Sequence, residues 1–344
     1  MNAAADGAPN LGVHASSALI VKPSSLGDIV HTLPAVAAIK SSFPDLQLRW
    51  VANTEWVPLL TGCPLLKEVV PFPRKTMRGL RGPLAFWRWC RQLRAAKPAG
   101  PEIVLDFQGL LRSALIARGR GSRPIIGLSD AREGAVRFYQ HVVPVEAGAH
   151  AVDRYLTLAG AVGAAIPLEE EVAFPLPPGH RPAGWPEGVP PIVIHPTSRG
   201  EGKSLPTPML QALCDQLHPL PVVLVGVADQ PLGIQGTHVT DLMNRTRLDE
   251  LIWVMREARF CISVDSGPMH IAAAVNDDTL GLHTWSDPRR VGPYNPRAWV
   301  WKAGRIDHRH GFTQEECLRA PQPDVADMAN IADFVRQQIS QAPR

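Results

Sequence analysis

A chain of 344 residues is long enough for two domains of ordinary size, each with its own core, and 45% hydrophobic against 19% charged residues reads as globular. The formal charge of +3 is too small to mark a nucleic-acid binder, so any basic function must come from local clustering and no nucleic acid is expected as a partner. Five cysteines, odd in number and without a CxxC pair, argue against a disulfide framework and for reduced thiols in a cytoplasmic protein.

Along the chain, residues 1–17 lack both a basic n-region and a continuous apolar stretch and read as a disordered leader without a secretion signal. No apolar run reaches 18 residues, so no spanning helix is expected. The stretch ALIVKPSSLGDIVHTLP (18–34) reads as strand, turn and helix, with Ile29, Leu33, Val36 and Ala37 on one face and Pro34 tolerable only near the first turn. Asp28 sits where that helix begins. As a cap it would contribute about 1 kcal/mol. It would act as a base only if a substrate hydroxyl is brought to it. Further β-rich runs at 47–51, 103–107 and 124–128 alternate with helical patterns. Between Pro73 and Pro98 lie eight basic residues and no acid, including Arg74, Lys75, Arg88, Arg91 and Arg94. Arg88, Arg91 and Arg94 recur beside Phe86, Trp87, Trp89 and Leu93, which suits an amphipathic helix meeting an anionic lipid surface or a solvated helix face.

The segment 164–191 has eight prolines in 28 residues, a linker composition. A second strand series follows at 192–195, 222–226, 260–264 and 279–283, so the chain reads as α/β with parallel sheets covered by helices. HPTSRGEGKSLP (195–206) is not a P-loop, because Thr197 stands where its first glycine is required and Pro206 and Pro208 deny a helix starting at the lysine. In SVDSGPMHIAAAV (263–275), Asp265, Ser266 and Gly267 make a turn before a helix whose first N–H groups suit a phosphate or a plain cap. His270 reads as a packed histidine, with phosphate contact as the rival. No D-x-D occurs, and Asp307, His308, His310 and Cys317 fit no zinc spacing, so no metal is expected. In the tail, Val325, Met328, Ala332, Val335 and Ile339 share a helical face that should dock on a domain.

The strings VKPSSLGDIVHTLPA, LDFQGLLRSALIA, HAVDRYLTLAG, HPTSRGEGKSLP and VDSGPMHIAAA, in this order, resemble glycosyltransferase family 9, the lipopolysaccharide heptosyltransferases, over roughly residues 18–300. The first motif is nearer to the heptosyltransferase I group than to the second. The resemblance implies a GT-B fold, with two Rossmann-like domains facing a cleft: an acceptor domain at 18–175, a sugar-nucleotide domain at 176–323, and a helix at 324–344 docking back. It implies metal-independent inverting transfer of heptose from ADP-L-glycero-D-manno-heptose to Kdo of lipid A, with no cofactor, at the cytoplasmic side of the inner membrane. Asp28 then matches the catalytic base. Thr197, Ser198, Lys203, Asp265, Ser266, Gly267 and His270 match donor-binding positions. Ser25, Gly27, Arg74, Lys75, Arg112, His150 and Arg154 are expected at the anionic glycolipid acceptor, with structural pairing to the neighbouring Asp106 or Asp153 as the rival for Arg112, His150 and Arg154. Departures from the family pattern fall near the expected nucleotide pocket: Leu205, the stretch VGVADQP with Asp229 as a ribose contact, and HTWSDP. A GT-B epimerase and a non-catalytic lipopolysaccharide-binding protein remain as rival readings.

Overall fold

The computed structural model describes residues 15–318 and 322–341. Most of the expected leader lies outside the described residues, and Ser17 already belongs to the first strand. The chain forms two compact units, residues 1–177 and 178–344.

In the first unit β1 (Ser17–Val21), β2 (Gln47–Asn53), β3 (Glu68–Phe72), β4 (Glu102–Asp106), β5 (Ile125–Leu128) and β6 (His141–Val143) form a parallel sheet of order β3-β2-β1-β4-β5-β6. β1 and β4 are buried at every residue, as strands covered on both faces must be. On one face α1 (Leu26–Ser42) packs with α4 (Ala151–Ala161). On the other, α2 (Gly82–Ala95) and α3 (Leu111–Arg120) set Trp89, Leu93, Ala114 and Ile116 against Leu19, Val21 and Val104. Each fully buried Leu, Ile or Val contributes about 1.5–3 kcal/mol.

Pro34 departs from expectation. It lies well inside α1 and not near its first turn. The missing N–H leaves a carbonyl one turn back without its helical donor. Burial of nearly every position from Ile29 to Ile39 outweighs that cost.

The second unit repeats the plan. β7 (Ile192–His195), β8 (Val222–Leu224), β9 (Val239–Asp241), β10 (Phe260–Val264), β11 (Thr279–Leu282) and β12 (Trp299–Lys302) are parallel, and β13 (Arg305–Asp307) adds an antiparallel edge, in the order β13-β12-β11-β10-β7-β8-β9. Around it lie α5 (Thr207–Leu217), α6 (Leu248–Glu257), α7 (Gly267–Val275) and the short α8 (Pro288–Val291) and α9 (Gln314–Leu318). The final helix α10 (Val325–Gln341) packs on α5 and buries Met328, Ile331, Ala332, Val335 and Ile339 in this unit's core.

Set β13 aside and each sheet has the doubly wound order 3-2-1-4-5-6. In such sheets ligands collect beyond the strand C-termini where the order reverses. That point lies between β1 and β4 in the first unit and between β7 and β10 in the second.

Candidate active site

The first switch point holds Asp28. Its turn is pinned from three sides: Trp50 Nε1 donates to the Lys22 carbonyl at 3.0 Å, Asn53 N to the Pro23 carbonyl at 2.9 Å, and Ser24 N to Gln108 Oε1 at 3.1 Å. Ser25 is the N-cap of α1 and Asp28 stands at N3. Ser25 N and Oγ donate to Asp28 Oδ2 at 3.0 and 2.6 Å. This is a capping box, in which the N3 carboxylate reaches back to the cap residue. The other oxygen, Oδ1, lies 3.9 Å from Lys22 Nζ, and the side chain is 39% exposed. Asp28 therefore caps with one oxygen, has the other near a buried ammonium, and lines a cavity.

That cavity, of about 240 Å³, is lined by Lys22, Asp28, Asp130, Arg132, Arg154 and Tyr155 among others. Lys22 is buried and donates to the Phe107 carbonyl at 3.0 Å and the Tyr155 hydroxyl at 2.7 Å. Burial lowers its affinity for the proton, but the Tyr155 oxygen, which accepts its hydrogen bond, and the charges of Asp28 and Asp106 outweigh this and hold it above the ordinary lysine value. Arg154 pairs with Asp130, not with Asp106 or Asp153. Asp106 is fully buried and already accepts from Ser113, Tyr139 and two backbone N–H groups; burial raises its carboxyl pKa.

Of the other acceptor candidates, Gly27 lies in the first turn of α1 beside the exposed Ser25. His150 is buried as the N-cap of α4, accepting from Val152 N at 3.2 Å, with its ring 5.1 Å from that of His31. Arg112 is exposed at the start of α3; Arg74 and Lys75 are exposed on a single 3-10 turn, Lys75 lying 3.8 Å from Glu55. The cavity lining includes Arg154 but neither His150 nor these three.

The second switch point gathers Lys203, Asp265, Ser266 and Ser198. Lys203 Nζ lies 2.6 Å from Asp265 Oδ2 and 4.4 Å from the centroid of the Trp285 ring. Ser286 Oγ donates to the same carboxylate oxygen at 2.5 Å. Burial pushes the Asp265 carboxyl up, but His283, the Lys203 ammonium and the Ser286 hydroxyl hold it at about 2. Beneath the turn, fully buried Lys302 donates to the Thr284 and Ser286 carbonyls. Thr284 Oγ1 and Trp285 Nε1 donate to the Gly202 and Glu201 carbonyls at 3.0 and 3.3 Å, tying this turn to the lysine loop. Ser198 Oγ reaches the Asp265 carbonyl at 3.5 Å.

Ser266 caps α7, with Gly267 and Pro268 as its first two residues. Its hydroxyl lies 3.3 Å from His195 Nδ1, and Ser263 Oγ lies 3.2 Å from the same atom. Burial lowers the His195 pKa to about 4, so it is neutral at pH 7. Thr197 packs where the chain leaves β8: a Cβ on Gly226 would lie 2.8 Å from Thr197 Oγ1, at a φ of +138° that favours glycine. His270 is buried in α7. Asp229 is exposed after β8. Leu205 is buried in the core.

No motif marked Lys22, Tyr155, Asp130, Arg132 or Lys302 individually, whereas His283, Trp285 and Ser286 belong to the HTWSDP stretch expected near the nucleotide pocket. Lys22 was findable as a lysine closing a buried strand. Among the described residues no three His, Cys, Asp or Glu side chains gather as metal ligands; His308 instead stacks on Trp299 at 3.9 Å, and Asp307 pairs with Arg305.

A family profile described as glycosyltransferase family 9 (heptosyltransferase) matches residues 87–319. Lipopolysaccharide heptosyltransferase 1 of Pseudomonas aeruginosa is 30% identical over 287 residues, 80% of this chain and 81% of the relative. The Salmonella typhimurium protein of the same name is 27% identical, covering 80% of this chain and 90% of its own. The E. coli heptosyltransferase WaaC with ADP superposes with a TM-score of 0.72 at 22% identity, over 94% of this chain and 99% of that one. E. coli ADP-heptose lps heptosyltransferase II does so at 0.73 and 21%, over the same shares. At these identities the solved structures speak for the fold alone, and the fold is theirs: two Rossmann-like units, each on a doubly wound sheet.

Proposed function

This chain belongs to glycosyltransferase family 9 and is a heptosyltransferase, and from that premise we propose that it transfers heptose from ADP-L-glycero-D-manno-heptose to a Kdo residue of the lipid A inner core, with inversion and without a metal. The observation that carries this reading is Asp28: a carboxylate at the switch point of the first sheet, one oxygen fixed by Ser25 and the other 3.9 Å from the Lys22 ammonium, on a cavity that Arg132 and Arg154 also line.

Asp28 Oδ1 takes the proton of the acceptor hydroxyl while that oxygen forms its bond to the anomeric carbon, and the bond from that carbon to the ADP oxygen breaks. The departing diphosphate gains negative charge. Lys203, the hydroxyls of Ser198 and Ser266, and the N–H groups opening α7 at Gly267 are the donors of the second unit suited to receive it. Arg132 and Arg154 line the Asp28 cavity, and Arg154 Nε is buried without a hydrogen-bond partner among the described residues, which suits a carboxylate-bearing sugar as acceptor.

An acceptor carried on lipid A calls for contact with an anionic membrane surface. No helix among the described residues is long and apolar enough to cross a membrane. The region around α2 supports surface contact instead: Leu80, Leu84 and Trp87 are exposed among Arg78, Arg81, Arg88 and Arg91.

The test is ADP release from ADP-heptose with and without heptose-deficient lipopolysaccharide. Release that requires acceptor supports transfer; conversion of the sugar nucleotide without acceptor would support an epimerase. Asp28→Asn keeps an amide oxygen for Ser25 but cannot take a proton. Turnover should fall by about 10²- to 10⁴-fold with thermal stability near wild type. A folded variant retaining more than about a tenth of the wild-type rate would return Asp28 to capping alone.

A further inference from the structure

We propose that Lys22 is the positioning residue of the Asp28 carboxylate, an inference that rests on Asp28 being the base. The chain places a lysine directly after a fully buried strand, and its side chain is 3% exposed. A buried ammonium is costly unless its donors are met. Two are met by groups from other elements, the Phe107 carbonyl beyond β4 at 3.0 Å and the Tyr155 hydroxyl of α4 at 2.7 Å. The nearest anion is Asp28 Oδ1 at 3.9 Å, beyond hydrogen-bond length but within strong Coulombic reach.

The two oxygens of Asp28 thus have different tasks. Oδ2 is held by Ser25, which sets the plane of the carboxylate; Oδ1 is the oxygen nearest the ammonium, and the residue lines the cavity. The surroundings make the charge matter. Asp106 and Asp130 share the cavity lining with Asp28, so three carboxyl groups crowd one small volume. Arg154 pairs with Asp130, Arg132 lines the same wall, and Asp106 takes hydrogen bonds from Ser113 and Tyr139. His31 follows Asp28 on α1, and His150 meets its ring edge to face. Lys22 lies 3.9 Å from Asp28 Oδ1, and its charge favours the anionic form of that carboxylate in a site proposed to receive an anionic sugar.

The test is the pH dependence of kcat/KM for Lys22→Met, which removes the charge at similar volume. The expected result is a fall in kcat of more than about tenfold and an acid limb moved to higher pH by about one pH unit, because the lost ammonium no longer favours the anion. ADP affinity should not change. Tyr155→Phe serves if Lys22→Met does not fold: it retains the charge and removes one of its two fixed partners, so kcat should fall several-fold with the acid limb in place. Either variant folded and at wild-type rate and pH profile overturns the proposal. Asp28→Asn separates the two ideas. If it is active, the base reading fails; if it is inactive while Lys22→Met behaves as wild type, only the positioning role fails.

Discussion

Lys203 is held on two sides, by the Asp265 carboxylate at 2.6 Å and the Trp285 ring at 4.4 Å. Lys203→Ala should weaken ADP binding and lower turnover together, each by about 10- to 100-fold if a charged hydrogen bond contributes about 1.5–3 kcal/mol. Calorimetry with ADP and steady-state rates check this, and wild-type values for both would remove Lys203 from the donor site. A second expectation concerns acid. His195 and His283 are buried and held at about 4 by loss of solvent, against an ordinary value of 6.5. Unfolded, each takes a proton near the ordinary value; folded, only near the lower one. The unfolded state binds more protons between these values, so the stability is full above the ordinary pKa and falls as pH drops toward the lower one. By about pH 4.5 the loss should be about 2 kcal/mol per histidine, visible as a falling thermal midpoint that His283→Gln partly flattens. Asp28, Lys203 and Asp265 were legible in the sequence because each sits in a strand-turn-helix string. The partners of Lys22 and Lys302 were not, because they come from distant segments: Tyr155 is 133 residues from Lys22, although the lysine itself visibly closes a buried strand.

At the scale of single elements, α2 separates what periodicity shows from what packing decides. The spacing of Trp89 and Leu93 marked a helix with an apolar face, and that face is buried, with Trp89 4.9 Å from Phe72. The apolar groups left outside are Leu80, Leu84 and Trp87, with Arg91 5.2 Å from the Trp87 ring. Arg94 turns away and donates to the Gly119 carbonyl. Trp87→Ala with Arg88→Gln and Arg91→Gln should therefore reduce cosedimentation with anionic vesicles at low salt, while Arg94→Gln alone changes it little. Unchanged cosedimentation of the triple variant would leave α2 as a solvated face. Strands β3, β6, β9, β12 and β13 escaped the sequence reading. β6, β9 and β13 have three residues each, and β3 is an edge strand carrying Pro71, where neither length nor alternation gives a signal.

Across the whole molecule, two sheets of one strand order follow from two series of strands, and that repetition was readable because fully buried parallel strands are short apolar runs. The proline-rich segment 164–191 was harder to read. Its composition suggests a loose connector, yet Ala165 N donates to Ser42 Oγ at 2.8 Å, and the Trp185 ring lies 5.2 Å from that of Trp253. Gly179, at a φ of +78°, runs so close to α6 that a Cβ would lie 2.4 Å from the Asp249 carbonyl. The units divide between Pro177 and Pro178, and the segment is laid down on both sides of that junction. If the donor is held by the second unit, ADP should slow hydrogen exchange in 195–204, 265–270 and 283–287 and leave β1 and α1 unchanged. Protection confined to the first unit would reverse the assignment of donor and acceptor.

The contact between Lys203 and Asp265 has one further consequence. A phosphate-binding loop is commonly pictured as a positive vacancy, but the Lys203 ammonium already has its counter-anion within the fold. If the donor's diphosphate binds at Lys203, as proposed, its entry is an exchange of anions, in which it displaces or shares a single internal carboxylate. A lone inorganic phosphate would bring less charge and fewer contacts to that exchange, so phosphate should compete poorly with ADP for this loop.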